Sequence, residues 1–221
     1  MIKRIFDVII SLLALILLAP FFAIISLVLR FTGEGEIFYL QERVGFQNKP
    51  FKIIKFATML ANSENMGTGS ITVRNDPRVL PFGRFLRKTK INELPQFINV
   101  FLGSMSLVGP RPQMMRDFKK FDDNVQESMY KSKPGITGLG SIVFRDEEKW
   151  ISNYDGDKHL FYKEKIAPYK GELELWYYRN QSFFLDIKIL IITLYVVFKP
   201  DLKILFMTIK NLPKIPSYLN I

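Results

Sequence analysis

Val8 to Leu29, "VIISLLALILLAPFFAIISLVL", is an apolar run of 22 residues without a charge. A segment of this kind needs a core or a lipid phase to cover it. As a straight helix it would rise about 33 Å, against a hydrocarbon core of about 30 Å. A cleavable signal peptide is discounted, because no small-x-small site follows and the next residues are Arg30 and Phe31. Pro20, in mid-run, removes one helix hydrogen bond and clashes with the preceding turn, which favours a kink. Lys3 and Arg4 precede the run and Arg30 follows it. The positive-inside bias therefore gives no reason to put the two ends on opposite sides. A helix that enters, breaks at Ala19–Pro20 and returns to the same face fits both facts, and a Pro-kinked span fits the first.

The C-terminal end reads as surface attachment. Ile189 to Phe198, "ILIITLYVVF", is ten residues long, too short to cross. Beyond it Lys199, Lys203, Lys210 and Lys214 alternate with Leu, Ile and Phe, the composition of a helix lying in an anionic lipid interface. A core helix with a solvated basic face is the alternative. The expected division is a membrane hairpin at 1–31, a catalytic unit at 32–181 and an interfacial segment at 182–221.

With 221 residues, 48% of them hydrophobic, the chain is long enough for one domain plus extras. The net charge of +10, from 31 basic and 21 acidic residues, points to a polyanionic partner. There is no cysteine and one histidine, His159 in "DGDKHLFY". Disulfides, thiol nucleophiles, Cys-based zinc sites and iron–sulfur clusters are thereby excluded. Acid, base or metal chemistry has to rest on Asp and Glu, with Lys and Arg supplying charge.

Between the apolar ends, two β-prone runs around "FQNKP" within Ile37–Met59 read as a hairpin. "ANSENMGTGSITVRNDP" reads as a loop. Asn92 is placed to cap a helix from Glu93 into Val100, with Pro95 in its first turn. Gln113–Tyr130 is helical in composition, "IVFR" is a candidate strand, and "DEEKW" opens a helix. Asp157–Asn180 reads as a long helix interrupted near Pro168. The fold expected is α+β and mainly helical, with one small β-hairpin.

Basic side chains recur in turns: Arg43, Lys55, Arg78, Arg84, Arg87, Arg111 and Arg145. An arginine fork on a fixed backbone suits bidentate phosphate contact. Six or seven such turns suggest a phosphate-rich pocket, although each alone is more often a surface salt-bridge partner. Nucleic acid is the competing polyanion, but no basic helix with spaced readout residues is present, so no nucleic-acid partner is expected. Glu93 is placed either to stabilise its own helix or to hold a Mg²⁺ that bridges phosphate oxygens. Asp146, Glu147 and Glu148 form a second acidic knot beside Arg145.

Taken together, "KRIFD" before the Pro-broken run, "QERVG", "KPFKIIKF", "DPR", "GRFLRKT", "ELPQ", "MSLVGPRP", "KPGITG" and "SFFLDIKIL" resemble the bacterial sugar transferase family, the monotopic polyprenyl-phosphate phosphoglycosyl transferases. The resemblance covers nearly the whole chain and looks like that of a minimal, single-domain member. It implies a re-entrant helix-break-helix at Ala19 and Pro20 and a bacterial inner-membrane enzyme facing the cytoplasm, with homodimers possible. The implied reaction moves a sugar-1-phosphate from a nucleotide diphosphate sugar, usually UDP-linked, to polyprenyl (undecaprenyl) phosphate, and so starts a surface glycan. In that pattern an Asp-Glu pair precedes "LPQ": the Asp attacks the donor's β-phosphate and the Glu holds Mg²⁺. Carried over, Glu93 is the metal ligand, and Lys55, Arg78, Arg87, Arg111 and Arg145 are phosphate contacts.

Four positions depart from that pattern. Asn92 stands at the nucleophile, Ser104 and Ala57 replace a usual Asp and Arg, and "GLGSIVFRDEEKW" replaces the common ending after "PGITG". A carboxamide has no anionic oxygen to attack with. Asn92 then marks an engineered inactive variant, a catalytically dead scaffold protein, or a natural subgroup with altered chemistry. In the last case the acceptor attacks directly, or a carboxylate such as Asp146, Glu147 or Glu174 substitutes. The natural subgroup is preferred, since the four departures fall together.

Overall fold

The computed structural model describes residues 1–67 and 75–217. Part of the expected loop, 68–74, lies outside the described residues. The apolar run is carried by α1 (Ile2–Phe31), a helix of 30 residues with Pro20 inside it. The helix continues through Ala19 and Pro20, so the expected division into two helices is corrected to one. Pro20 is exposed, and a helix of this length absorbs the one hydrogen bond it removes.

Both ends of α1 are fastened to the same body. At its start, buried Asp7 accepts hydrogen bonds from Ser106 Oγ at 2.8 Å and the Leu107 N–H at 3.1 Å. Arg4 donates to the carbonyls of Val100 (2.6 Å) and Phe101 (2.8 Å), which end α3 (Gln96–Leu102). Lys3 pairs with the carboxylate of Asp186 and donates to Val108 O at 3.0 Å. At its other end Leu29, with Phe22 and Ile25, packs on Phe56 and Leu86, and the Phe22 and Phe56 rings meet edge-on at 5.2 Å. Between these anchors Leu12, Leu13, Ile16, Leu17, Phe21 and Ile24 are exposed.

The expected hairpin is present as β1 (Phe38–Val44) and β2 (Pro50–Phe56), antiparallel with Arg43 opposite Phe51 and Tyr39 opposite Lys55. Asn99 of α3 clamps β2: its Oδ1 accepts from the Ile54 N–H at 2.9 Å and its Nδ2 donates to Lys52 O at 2.8 Å. Arg84 and Arg87, expected in a turn, lie on α2 (Pro81–Lys88), which Pro81 opens. Proline at the first helical position gives up no bond.

A second, parallel pair joins β3 (Ser106–Val108) to β4 (Gly135–Thr137). Close backbone approach requires glycine here, since a Cβ on Gly109 would lie 2.2 Å from Lys133 O and one on Gly138 2.2 Å from Gly109 O. The helix expected over Gln113–Tyr130 is two short ones, α4 (Met115–Phe118) and α5 (Asp123–Ser128). "IVFR" is not a strand: its Ile142 and Val143 end α6 (Leu139–Val143), where they turn into the core together with Leu139, and its Phe144 and Arg145 lie in the turn that follows. α7 (Glu147–Ser152) follows as expected, then α8 (Lys158–Phe161), a π-helical turn at Tyr162–Ile166, and α9 (Ala167–Asn180) with Pro168 in its first turn.

α10 (Phe183–Phe198) is longer than its apolar tract suggested and is followed by α11 (Lys203–Thr208). One stripe of α10, Leu185, Ile189, Ile192 and Val196, is buried in the main core with Leu173, Tyr169 and Leu205. The opposite stripe, Phe184, Ile191, Leu194, Tyr195 and Phe198, is exposed, with Lys188 its one charge.

Asp7→Ala strands two buried donors and should lower unfolding stability by about 2–4 kcal/mol. Thermal melts of wild type and variant in one detergent check this, with exposed Ile9→Ala as the control expected to shift little.

Candidate active site

Glu93 closes a single 3-10 turn, Ile91–Glu93, which the chain enters through Lys90 at φ +60°. Asn92 does not cap α3: that helix starts at Gln96 behind Pro95, without a side-chain cap. Asn92 is buried instead, and its Oδ1 has no hydrogen-bond partner. Glu93 Oε1 accepts from Arg111 Nη2 at 3.0 Å and lies 3.8 Å from Lys55 Nζ.

Arg111 sits in "GPRP" just past β3, where the backbone is held on both sides. The Tyr130 hydroxyl donates to Arg111 O at 2.7 Å and accepts from the Gln113 N–H at 2.8 Å. The Val44 N–H donates to Gln113 O, and the Gly135 N–H to Pro110 O, each at 2.9 Å. Lys55 comes from β2, in the register that Asn99 fixes. The side chain of Arg111 therefore points from a rigid frame, as phosphate recognition requires.

The electrostatics follow from crowding cations around one carboxylate. Burial alone would raise the Glu93 pKa, but Arg111, Lys55 and Lys90 outweigh it and hold the group far below the usual carboxylate range. Burial pushes the Lys55 ammonium down to about 7, and Arg43, Arg111 and Arg87 add to this against the pull of Glu93. Arg43 falls to about 10, through burial and then Arg111, while donating to Gln41 Oε1 and to Pro112 O. Lys90 is lowered by burial and by Arg111. Arg111, Lys55, Lys90 and Arg43 around one ionised carboxylate, with Arg87 acting on Lys55 and Lys90, make a site for a multiply charged anion.

Two of the substitute carboxylates lie on the other flank of Arg111. Glu147 pairs with the ammonium of Lys170, which is itself buried, and its charge reaches Arg111 and Tyr162. Glu174, on α9, is buried with neither oxygen hydrogen-bonded. Burial raises it to about 8, and Lys170 and the nearby Arg111 backbone temper that without a bond of normal geometry.

Two expected phosphate ligands are placed elsewhere. The Arg78 guanidinium is buried and engaged by both oxygens of Asp76, at 2.8 and 2.6 Å, and by the carbonyls of Ser63 and Met66. Its forks are used to hold a loop. Arg145 donates to Val196 O at the end of α10 and, with Asp146, lines a separate cavity. Arg87 lies near enough to depress Lys55 and Lys90. Lys90, Asn99 and Tyr130 were not singled out from sequence, and only the positive φ of Lys90 and the buried hydroxyl of Tyr130 reveal their part.

Among the described residues no three Asp, Glu or His side chains gather for an all-protein metal site. Mg²⁺ does not need one, since it is commonly held by one or two carboxylates together with substrate phosphates. Glu93 and the unpartnered Asn92 Oδ1 are hard oxygen donors of the right kind, and a diphosphate would neutralise the surrounding cations.

Among known proteins, the chain matches the bacterial sugar transferase family over residues 1–200. It is 37% identical over 195 residues to the UDP-glucose:undecaprenyl-phosphate glucose-1-phosphate transferase of Klebsiella pneumoniae, covering 87% of this chain and 39% of that protein. To the exopolysaccharide production protein ExoY of Sinorhizobium fredii it is 36% identical over 171 residues, 71% of this chain and 75% of that one. To the UDP-N-acetylgalactosamine-undecaprenyl-phosphate N-acetylgalactosaminephosphotransferase of Aeromonas hydrophila it is 33% identical, over 87% of this chain and 43% of the relative. The chain spans about two fifths of the length of the first relatives it matches.

Anion binding should take up a proton above neutrality. Unliganded Lys55 titrates at about 7, and a bound diphosphate favours its ammonium and raises that value. Between the two values affinity falls as pH rises, by at most about tenfold per pH unit for this one group. Calorimetry of pyrophosphate binding at pH 8 in Tris and in HEPES should show uptake that Lys55→Met largely removes.

Proposed function

The chain belongs to the bacterial sugar transferase family, and on that premise we propose that it transfers a sugar-1-phosphate from a UDP-sugar to undecaprenyl phosphate. The observation that carries the reading is the ring of Lys55, Lys90, Arg43, Arg87 and Arg111 around Glu93. Arg111 and Lys55 bind the diphosphate, and Arg87 and Lys90 extend the positive field along it. Glu93, with Asn92 Oδ1 as a candidate second oxygen donor, would hold a Mg²⁺, which would supply charge neutralisation on the leaving phosphate.

Direct attack by the acceptor is the chemistry this set of residues favours. Asn92 has no anionic oxygen, Glu93 and Glu147 are ion-paired to Arg111 and Lys170, and Glu174 at about 8 is mostly protonated at neutrality. An oxygen of undecaprenyl phosphate forms a bond to the donor's sugar-linked phosphorus. The bond from that phosphorus to the bridging oxygen breaks, and UMP leaves with the electron pair. Product is the sugar diphosphate lipid that begins an exopolysaccharide or related surface glycan.

A monotopic arrangement at the cytoplasmic face of the inner membrane belongs to the same proposal. Both ends of α1 are tied to one body, by Lys3, Arg4 and Asp7 and by Phe22 and Leu29, whereas a spanning helix would need its ends some 30 Å apart across lipid. The exposed stripe of α10 supports a second, interfacial contact, so 1–31 and 182–221 flank a catalytic unit at 32–181.

Purified full chain with Mg²⁺, a panel of UDP-sugars and undecaprenyl phosphate should release UMP only when the acceptor is present. Initial-rate plots should intersect as in a sequential mechanism, and acid quench with a ³²P-labelled donor should trap no labelled protein. UMP release without acceptor rejects direct attack. Absence of release across the panel, appearing only in Asn92→Asp, makes the natural chain a scaffold.

A further inference from the structure

The residues after 200, outside the stretch matched to the family, complete a cavity of about 730 Å³. Its wall is apolar: Val143 of α6, Trp150 of α7, Val196 of α10, Phe206 of α11 and Ile215. Its rim is basic, with Arg145, Lys149 and Lys203. Asp146 and Asp201 also line it, which leaves the lining one positive charge in excess, and Asp201 accepts from the Lys203 N–H at 2.9 Å at the start of α11. Met207 at the edge is 78% exposed, and Val197 and Phe198, next to Val196 of the wall, are exposed as well. The cavity thus adjoins the bare apolar stripe of α10.

It also adjoins the candidate active site through α7. Asp146 faces the cavity, and the next residue, Glu147, pairs with Lys170 and is felt at Arg111. An apolar wall with a cationic rim matches an amphiphile that has one anionic head. The volume is that of a pocket for a single small-molecule ligand, which suits one chain better than the paired acyl chains of a phospholipid.

Resting on the transferase reading above, we propose that this cavity receives the phosphate-proximal isoprene units of the acceptor lipid, with Arg145, Lys149 and Lys203 meeting its phosphate. The head then enters the site past the first turn of α7, and the remainder of the chain stays along α10 in the bilayer. Specificity for one long isoprenoid chain over bulk lipid would come from residues 201–215.

The test uses full-length chain in zwitterionic nanodiscs, with Trp176→Phe leaving Trp150 as the single reporter, since the sequence has two tryptophans. Geranylgeranyl phosphate should quench or blue-shift Trp150 saturably, and Lys149→Ala with Lys203→Ala should weaken its Kd about tenfold, or 1.4 kcal/mol. Met207→Glu, at an exposed position, should weaken it too without a folding defect. In transfer assays the double variant should raise KM for undecaprenyl phosphate and leave KM for the UDP-sugar unchanged. An equal response to geranylgeraniol or to phosphatidylglycerol overturns the proposal, as does an unchanged acceptor KM in an active enzyme. Saturable Trp150 binding without any UMP release instead overturns the transferase reading and leaves the cavity an isoprenoid-phosphate site.

Discussion

The polar start of α1 is the constraint on which the rest of the structure depends. A helix with eleven large apolar side chains exposed has no reason of its own to lie on a charged domain. Three charged side chains in its first two turns supply one. Asp7 satisfies the start of β3, Arg4 satisfies the last carbonyls of α3, and Lys3 binds Asp186, whose other oxygen accepts the Tyr177 hydroxyl at 2.7 Å. One network therefore holds α1, α3, β3, α9 and α10. Because Asp7 and Asp186 are buried while Lys3 and Arg4 are partly exposed, removing a partner leaves a buried carboxylate uncompensated, and such breaks cost more than a surface pair is worth. The network also fixes the site indirectly, since α3 carries Asn99 for β2 and β3 leads straight into Arg111.

Within that frame the site is made by charge imbalance rather than by a catalytic dyad. Among the described residues Glu93 is the one carboxylate in hydrogen-bond contact with Arg111, and its own burial penalty is more than met by the cations around it. What remains after that pairing is positive potential with restricted access to water. Lys55 shows the strain of it, held near neutrality at physiological pH. An anion entering such a site gains most where water is least, and the protein has already met the cost of desolvating the cations.

Much of this was legible in the sequence, and the gaps have physical causes. The hairpin could be read from β-prone runs about a turn, and α7 from acids at a helix start. Period and composition failed on α6, where a short apolar run reads equally as strand or helix until packing against α9 decides it. α2 was read as a turn because Gly83 and two arginines mask eight helical residues opened by Pro81. The basic residues were found, but which of them share a pocket depends on contacts far apart in sequence. Asp76, two residues from Arg78, claims that guanidinium locally, whereas nothing near Arg111 in the chain announces Glu93 as its partner. Tyr130 and Asn99 are visible only once the backbone they brace is known.

Asn92 can now be weighed as a change in charge as well as a missing nucleophile. An Asp there would add a second carboxylate beside Glu93 and share the same cations, drawing down the positive excess that a diphosphate meets. A covalent two-step route tolerates this, since donor and acceptor phosphates visit the site in turn. Direct attack brings both into the site at once, several negative charges together, and their mutual repulsion grows as the dielectric falls. The carboxamide keeps a hard oxygen in place without adding a second negative charge to the one that Glu93 already sets against Arg111 and Lys55. If transfer takes place in one step as proposed, the residue that removes the covalent route also leaves undiminished the positive potential that two phosphates would share.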